Sequence, residues 1–416
     1  MWPTMAAAKS FVIVGAGLAG AKTAEALREQ GFGGRIVLLG DEADAPYERP
    51  PLSKEYLQGK AERESIFVHP PDWYAGKDVE LRLSSPVSAI DRAAHQVRLA
   101  GGDRLGYDKL MLATGSAPRQ LPIPGADLAG VLYLRQVGDS ERLRELFTTA
   151  ARIVIIGAGW IGLEVAAAAR LAGVEVTVLE AAPLPLSRVL GDTVAPVFAA
   201  LHRAHDVDLR LGVQVAEITG DGATASGVRL ADGSSIGADA VLVGVGAAPN
   251  TALAEAAGLT VDNGVVVDAA LRTSDPDIYA AGDVARAYHP LLEMHIRVEH
   301  WANALNQPAT AATTMLGGEA AFDALPYFFT DQYDLGMEYV GYTEPDGPNG
   351  YDEVVIRGDL QAREFIAFWL RGGRLLAGMN VNVWDVTDPI KALIRSGTRI
   401  DTTQLADPAV PLEQLG

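Results

Sequence analysis

Two stretches of the 416-residue chain carry glycines at the spacing that seats a pyrophosphate, Gly15-Ala16-Gly17-Leu18-Ala19-Gly20 and Gly157-Ala158-Gly159-Trp160-Ile161-Gly162. In a G-x-G-x-x-G turn the first glycine closes the turn, the second lets phosphate oxygens approach the backbone, and the third lets helix and strand pack closely. The free N–H groups opening the helix then face the phosphate charge. Glycine-rich turns are common, so context must carry the assignment. Each copy follows an apolar run, Phe11-Val12-Ile13-Val14 or Ile153-Val154-Ile155-Ile156, and opens a helical pattern. Gly15, Gly17, Ala19 and Gly20 are therefore candidates for one dinucleotide, and Gly157, Gly159, Ile161 and Gly162 for a second.

A dinucleotide site also needs an acid for the adenosine ribose, near the end of the next strand. In the second copy Glu180 follows Val176-Thr177-Val178-Leu179. A carboxylate there accepts from a 2′-hydroxyl and repels a 2′-phosphate, which favours NADH over NADPH. Arg188, eight residues on, could soften that preference. In the first copy the strand ends at Leu39-Gly40, and Asp41 is the candidate, with Glu42 as the alternative.

The elements that must position these residues repeat. Residues 11–14, 18–30 and 35–39 read as strand, helix and strand, and 152–156, 161–171 and 175–179 repeat the pattern. Pro118, Pro122, Pro124 and Gly125 punctuate the approach to the second copy. Residues 262–280 read as short strands and turns, and 302–316 as a helix. From Pro326 aromatics alternate, as in Phe365-Ile366-Ala367-Phe368-Trp369-Leu370, which predicts a small antiparallel sheet closed by a helix over 389–396. The expected fold is α/β, with two Rossmann-like three-layer domains and a small α+β C-terminal domain. The expected boundaries are 1–118 with 245–318, then 119–244, then 319–416.

Composition narrows the chemistry. There is no cysteine, which excludes disulfides, thiolate metal sites, cysteine-held iron–sulfur clusters and redox Cys-x-x-Cys pairs. No metal site is expected. A net charge of −19 opposes nucleic acid and anionic membrane surfaces. Met1 to Ser10 does not read as a signal peptide, and no apolar run approaches a membrane span, so a cytoplasmic location is expected.

Several segments together resemble one family, the FAD-dependent ferredoxin reductases of bacterial cytochrome P-450 and aromatic-ring dioxygenase systems. The specific pieces are Pro46-Tyr47-Glu48-Arg49-Pro50-Pro51-Leu52-Ser53-Lys54 and Glu299-His300-Trp301-Ala302-Asn303-Ala304. Leu112-Ala113-Thr114-Gly115, Gly162-Leu163-Glu164-Val165-Ala166, Gly244-Val245-Gly246-Ala247-Ala248-Pro249-Asn250, Ala281-Gly282-Asp283 and Pro326-Tyr327-Phe328-Phe329-Thr330-Asp331-Gln332 extend the likeness over nearly the whole chain.

The resemblance implies that the first fingerprint holds FAD and the second NADH. It implies Lys54 near the flavin N5 and O4 edge, where a cation stabilises reduced flavin, with Glu164 as its partner. Read without the family, Glu164 would be a surface helix residue. Arg49, Val87, Thr114, Gly115, Arg135, Gly282 and Asp283 are carried over as further FAD contacts, and Gly246 as an NAD contact. Trp301, which reads equally well as a core tryptophan, is implied to lie over or beside the flavin ring. With no redox cysteine, hydride must pass from nicotinamide to flavin and leave as electrons to an outside acceptor, in this family a 2Fe–2S ferredoxin. An acidic chain greeting such an acidic partner needs a local basic patch, and Arg357, Arg363, Arg371, Arg374, Lys391, Arg395 and Arg399 offer one. The alternatives are a rubredoxin reductase, a cysteine-free NADH oxidase, or a redox-gated flavoprotein that binds a partner. No motif reports the oligomeric state.

Overall fold

The computed structural model describes residues 9–344 and 350–415. The reading of Met1 to Ser10 falls, up to residue 8, outside the described residues. By its internal packing the chain divides into two compact units.

The first unit comprises the residues up to Glu48, Arg63–Ala117 and Ala247–Ala324. Its centre is a five-stranded sheet in the order Ile278–Ala280, Lys109–Leu112, Ser10–Val14, Arg35–Leu39, Val79–Arg82. Every neighbouring pair is parallel. Parallel strands covered on both faces read as unbroken apolar runs, and Phe11–Val14 and Ile36–Leu39 are buried throughout. The helices Leu18–Glu29 and Trp301–Met315 pack together. An antiparallel meander, Val87–Asp91, Gln96–Leu99 and Arg104–Gly106, sends Ile90, Val97, Leu99 and Leu105 into the same core.

The second unit comprises Arg49–Glu62, Pro118–Gly246 and the chain from Leu325. It repeats the design with a five-stranded parallel sheet, in the order Asp208–Leu211, Glu175–Glu180, Arg152–Ile156, Ala240–Val243, Val131–Leu132. The meander Val215–Gly220, Ala225–Leu230, Ser235–Gly237 lies over it, with Ile218, Val228 and Leu230 in the shared core. The internal repeat extends to register: Ser10 pairs with Arg35 through Val14 with Leu39, and Arg152 with Glu175 through Ile156 with Leu179.

The expected C-terminal sheet is present as five antiparallel strands in the order Tyr327–Gln332, Leu335–Gly341, Arg374–Val381, Glu364–Arg371, Glu353–Asp359. The helix Thr387–Ser396 buries Ile390, Leu393 and Ile394 against it. Helix starts differ slightly from the sequence reading. The helices after the second fingerprint and after His300 begin at Trp160 and Trp301, one residue earlier than expected, because Gly159 and His300 are extended caps. Among the described residues no helix is long and apolar enough to cross a membrane.

Candidate nucleotide and redox site

The fingerprint glycines divide by what they touch. A Cβ at Gly15 would lie 2.1 Å from the Ala113 carbonyl oxygen, and one at Gly20 would lie 1.9 Å from that of Gly15. The second copy matches, with 2.4 Å from Gly157 to the Gly244 oxygen and 2.2 Å from Gly162 to that of Gly157. Gly15 and Gly157 also hold φ of +111° and +105°, a region that only glycine adopts readily. The protein's own packing therefore demands the first and third glycines of each turn. The middle ones are different, since a Cβ on Gly17 or Gly159 meets nothing within 4 Å. Both have extended, ordinary dihedrals and cap the helix that follows. Open space above helix-opening N–H groups fits a pyrophosphate at each turn.

The two ribose acids are held differently. Glu180 accepts from the Ala158 N–H within the second fingerprint and from the Ala182 N–H, both at 2.8 Å. It thus ties the strand end to the glycine turn. Arg188 is exposed in the first turn of the helix Ser187–Ala204. Asp41 is exposed, whereas Glu42 is half-buried and accepts from the Tyr47 hydroxyl at 2.5 Å.

Around the first fingerprint, Gly282 approaches the helix so closely that a Cβ would lie 3.1 Å from that of Ala19, and its φ is +78°. The turn is fixed by the Gly282 N–H donating to Gln307 at 2.8 Å. Its neighbour Asp283 accepts from Ser116 at 2.8 Å. Thr114 and Gly115 are zipped to Asn250: the Thr114 hydroxyl donates to the Asn250 carbonyl at 2.9 Å, the Asn250 amide to the Thr114 carbonyl at 2.7 Å, and the Asn250 N–H to the Gly115 carbonyl at 2.9 Å. Val87, half-buried, opens the meander. Trp301 is half-buried, and its indole N–H donates to Glu48 at 3.2 Å. Lost hydration holds the neighbouring His300 imidazole below the ordinary histidine range, against the pull of Asp283.

Within the second unit, Lys54 and Glu164 form a buried ion pair at 2.8 Å, their side chains 8 % and 5 % exposed. Glu164 also accepts from Ser53 at 2.5 Å and from Thr330 at 2.6 Å. The Lys54 ammonium lies 5.4 Å from the Phe329 ring centre. Burying both charges is tolerable because the carboxylate has donors beyond the lysine. The sequence reading quoted Ser53 and Thr330 within the resembling segments but gave neither a site role; they approach Glu164 from 111 and 166 residues away. In the fold the strand Tyr327–Gln332 buries Thr330 and Gln332 and exposes Asp331, an alternation that the uniformly polar Thr-Asp-Gln run does not announce. Arg49 donates to the Arg135 carbonyl, and the Arg135 N–H donates to Asp139 at 3.0 Å, so these two candidates also meet. Gly246, at φ +101°, is exposed and accepts from the Arg119 N–H at 2.9 Å. Ile161 stands 44 % exposed beside the open Gly159.

The linear basic run separates in space. Arg363 pairs with Asp334 and Lys391 with Asp388, each at 2.8 Å, and Arg357 donates to the Val410 carbonyl. Arg371 and Arg374 face one another across the Gly372-Gly373 turn, with Arg399 bridged to Arg374, and all three are exposed. Among the described residues, no group of three or more His, Asp or Glu side chains could hold a metal.

Comparison with known proteins assigns the chain to a family. Residues 9–308 match the family model of pyridine nucleotide-disulphide oxidoreductases, and 327–416 that of the reductase C-terminal domain. Putidaredoxin reductase of Pseudomonas putida is 40% identical over 416 residues, 99% of this chain and 97% of that one. The ferredoxin–NAD(+) reductase component of the anthranilate 1,2-dioxygenase system of Burkholderia cepacia is 42% identical over 98% of this chain and 99% of its own. The crystal structure of the covalent putidaredoxin reductase–putidaredoxin complex superposes with a TM-score of 0.94 at 40% identity, covering 98% of both chains. The chain belongs to the pyridine nucleotide-disulphide oxidoreductases, among the putidaredoxin reductase-like ferredoxin reductases that carry a reductase C-terminal domain.

Proposed function

We propose that this enzyme takes electrons from NADH through FAD and hands them to a small 2Fe–2S ferredoxin serving a cytochrome P-450 or a ring-hydroxylating dioxygenase. The observation that carries this reading is the buried Lys54–Glu164 pair in a cysteine-free chain with two dinucleotide turns. FAD, when bound, accepts two electrons from NADH and releases them one at a time. Its pyrophosphate lies over Gly17 in the turn that Gly15 and Gly20 close, and Asp41 receives its ribose. Ala19, Arg49, Val87, Thr114, Gly115, Gly282, Asp283 and Trp301, from a domain of residues 1–118 and 245–318, complete the proposed FAD contacts, with Arg135 added from 119–244. Gly157, Gly159, Ile161, Gly162, Glu180 and Arg188 of the domain 119–244 receive NADH, with Gly246 just beyond that boundary. Lys54 stabilises the negative charge of reduced flavin, and Glu164 holds the ammonium until nicotinamide arrives. The location proposed is the cytoplasm. Purified enzyme with NADH should reduce cytochrome c slowly alone and quickly once a 2Fe–2S ferredoxin is added. Indifference to ferredoxin would overturn the reading, and rapid oxygen consumption in its place would favour an oxidase.

Glu180 sets the nucleotide preference in this reading. Glu180→Ala should lower kcat/KM for NADH about tenfold, the worth of one charge-assisted hydrogen bond, and leave that for NADPH unchanged or higher. Equal losses with both nucleotides would instead assign Glu180 to holding the turn alone.

The exposed Arg371, Arg374 and Arg399 turn supplies the local positive field that a −19 chain needs for an acidic ferredoxin. Reversing Arg371 and Arg374 to glutamate should raise the ferredoxin KM and flatten its dependence on salt, with NADH-dependent ferricyanide reduction unaltered. Ferredoxin turnover that keeps its rate and its salt dependence removes this surface.

A further inference from the structure

The Lys54–Glu164 pair is the end of a longer chain of buried groups. Thr330 donates to Glu164 at 2.6 Å, the Gln332 amide donates to the Thr330 hydroxyl oxygen at 3.2 Å, and His202 Nε2 lies 2.8 Å from the Gln332 amide oxygen. Thr330, Gln332 and His202 are at most 1 % exposed. Three elements build this layer by their own periods. On the helix Trp160–Leu171, Glu164 stands one turn beyond Trp160, and on Ser187–Ala204, His202 stands one turn beyond Phe198. On the strand, Thr330 and Gln332 alternate with outward residues, on the same face as Phe328. Trp160 packs on Phe198 and Phe328, with ring centres at 5.5 and 5.1 Å. An aromatic layer therefore lies beside a polar one, made by the same three elements.

The direction of every proton in the polar layer follows from its charged end. An ionised carboxylate only accepts, so the Thr330 hydrogen points to Glu164. Thr330 then has only lone pairs for Gln332, so the amide NH2 faces it and the amide oxygen faces His202. His202 must then carry its proton on Nε2. Its Nδ1 has no hydrogen-bond partner among the described residues. Burial lowers the pKa of this imidazole to about 4, partly opposed by the Gln332 hydrogen bond, with His205 adding to the lowering, so at neutral pH it carries one N–H. All three donors are aligned toward Glu164, and aligned hydrogen bonds polarise one another.

We propose that Gln332 and His202 are positioning residues that lock the Thr330 hydroxyl onto Glu164, so that the carboxylate keeps its place when Lys54 turns away from it. A hydroxyl alone can rotate to another acceptor, whereas one whose lone pair is occupied by the Gln332 amide cannot do so freely. The inference rests on Lys54 and Glu164 being the working pair of the enzyme. The test uses the FAD-loaded enzyme and compares His202→Leu, Gln332→Leu and His202→Gln, whose amide nitrogen can stand in for Nε2. Anaerobic reduction of the flavin by NADH should slow about tenfold in both leucine variants, the usual size of a loss behind a directly acting group, and recover to within about twofold in His202→Gln. Leucine variants at the wild-type rate overturn the proposal, as does His202→Gln matching His202→Leu at equal melting temperature. A second measurement needs no turnover. Nitrogen-15 spectra of labelled histidine should show His202 as a single Nε2–H tautomer from pH 6 to 8, and Thr330→Val should release it. An Nδ1–H tautomer in the wild type overturns the chain itself. Glu164→Gln separates the two ideas: flavin reduction at full rate in that variant discards the working pair, and the tautomer then decides the hydrogen-bond chain alone.

Discussion

Gly17→Val should give a folded protein that purifies without FAD, whereas Gly15→Val should give little folded protein at all. The two positions are two residues apart in one turn, and the difference comes from what each added side chain would meet. At Gly15 the new Cβ overlaps a backbone oxygen at 2.1 Å in a φ that branched residues do not adopt, so the cost falls on the fold. At Gly17 the dihedrals suit any residue and the space is open, so the cost falls on whatever fills that space. A valine there occupies the approach of a pyrophosphate and should weaken FAD by at least about 100-fold, roughly 3 kcal/mol. Gly159→Val is the matched experiment on the second turn: the protein stays yellow and the KM for NADH rises by a similar factor. Flavin absorbance, melting temperature and NADH titration read all three variants. Full FAD content in Gly17→Val would mean that the first turn does not hold the pyrophosphate.

The second large effect is expected from Lys54→Met, which keeps length and removes charge. Reduction of the flavin by NADH should slow on the order of 100-fold, the scale of losing one directed electrostatic contact to the reacting centre. The flavin potential should fall as well, since about 1.4 kcal/mol of lost charge stabilisation corresponds to about 30 mV for a two-electron couple. Stability complicates the single variant, because Glu164 would remain buried without its counter-ion, a loss of about 3–5 kcal/mol. The double variant Lys54→Met with Glu164→Gln removes that problem. It should regain much of the melting temperature and none of the rate, and this split separates a catalytic lysine from a structural ion pair. A double variant that reduces flavin at the wild-type rate would leave Lys54 with a structural role only.

The two fingerprints and their sheets were legible in the sequence because their signal is local. Glycine spacing, apolar strands and helix starts all lie within one βαβ unit, and their bounds in the fold differ from the reading by a residue or so. Lys54 and Glu164 were legible only through the resemblance. In isolation, Glu164 sits in an alanine-rich helix whose composition gives no hint that this one acid is 5 % exposed. Ser53, Thr330 and Gln332 lay inside the resembling segments without a role, and His202 left no local mark, since their roles come from separate elements brought together across the chain. The basic run shows the reverse error. Close in sequence, Arg357 and Arg363 turn to partners of their own, and only the residues about the Gly372-Gly373 turn remain together.

The polar layer also bears on how the chain finds one fold. Tyr327, Phe328 and Phe329 place large aromatics on both faces of the strand, so apolar content alone cannot choose which face turns inward. A slip of one residue would still bury rings, but it would turn Thr330 and Gln332 outward and bring Asp331 inward. Glu164 would then meet a second carboxylate in place of the Thr330 hydroxyl, and His202 would lose the Gln332 amide, a mismatch in a buried setting. The same hydrogen bonds that steady Glu164 therefore act as a proofreading device, rejecting the near-degenerate strand pairing that hydrophobicity would accept.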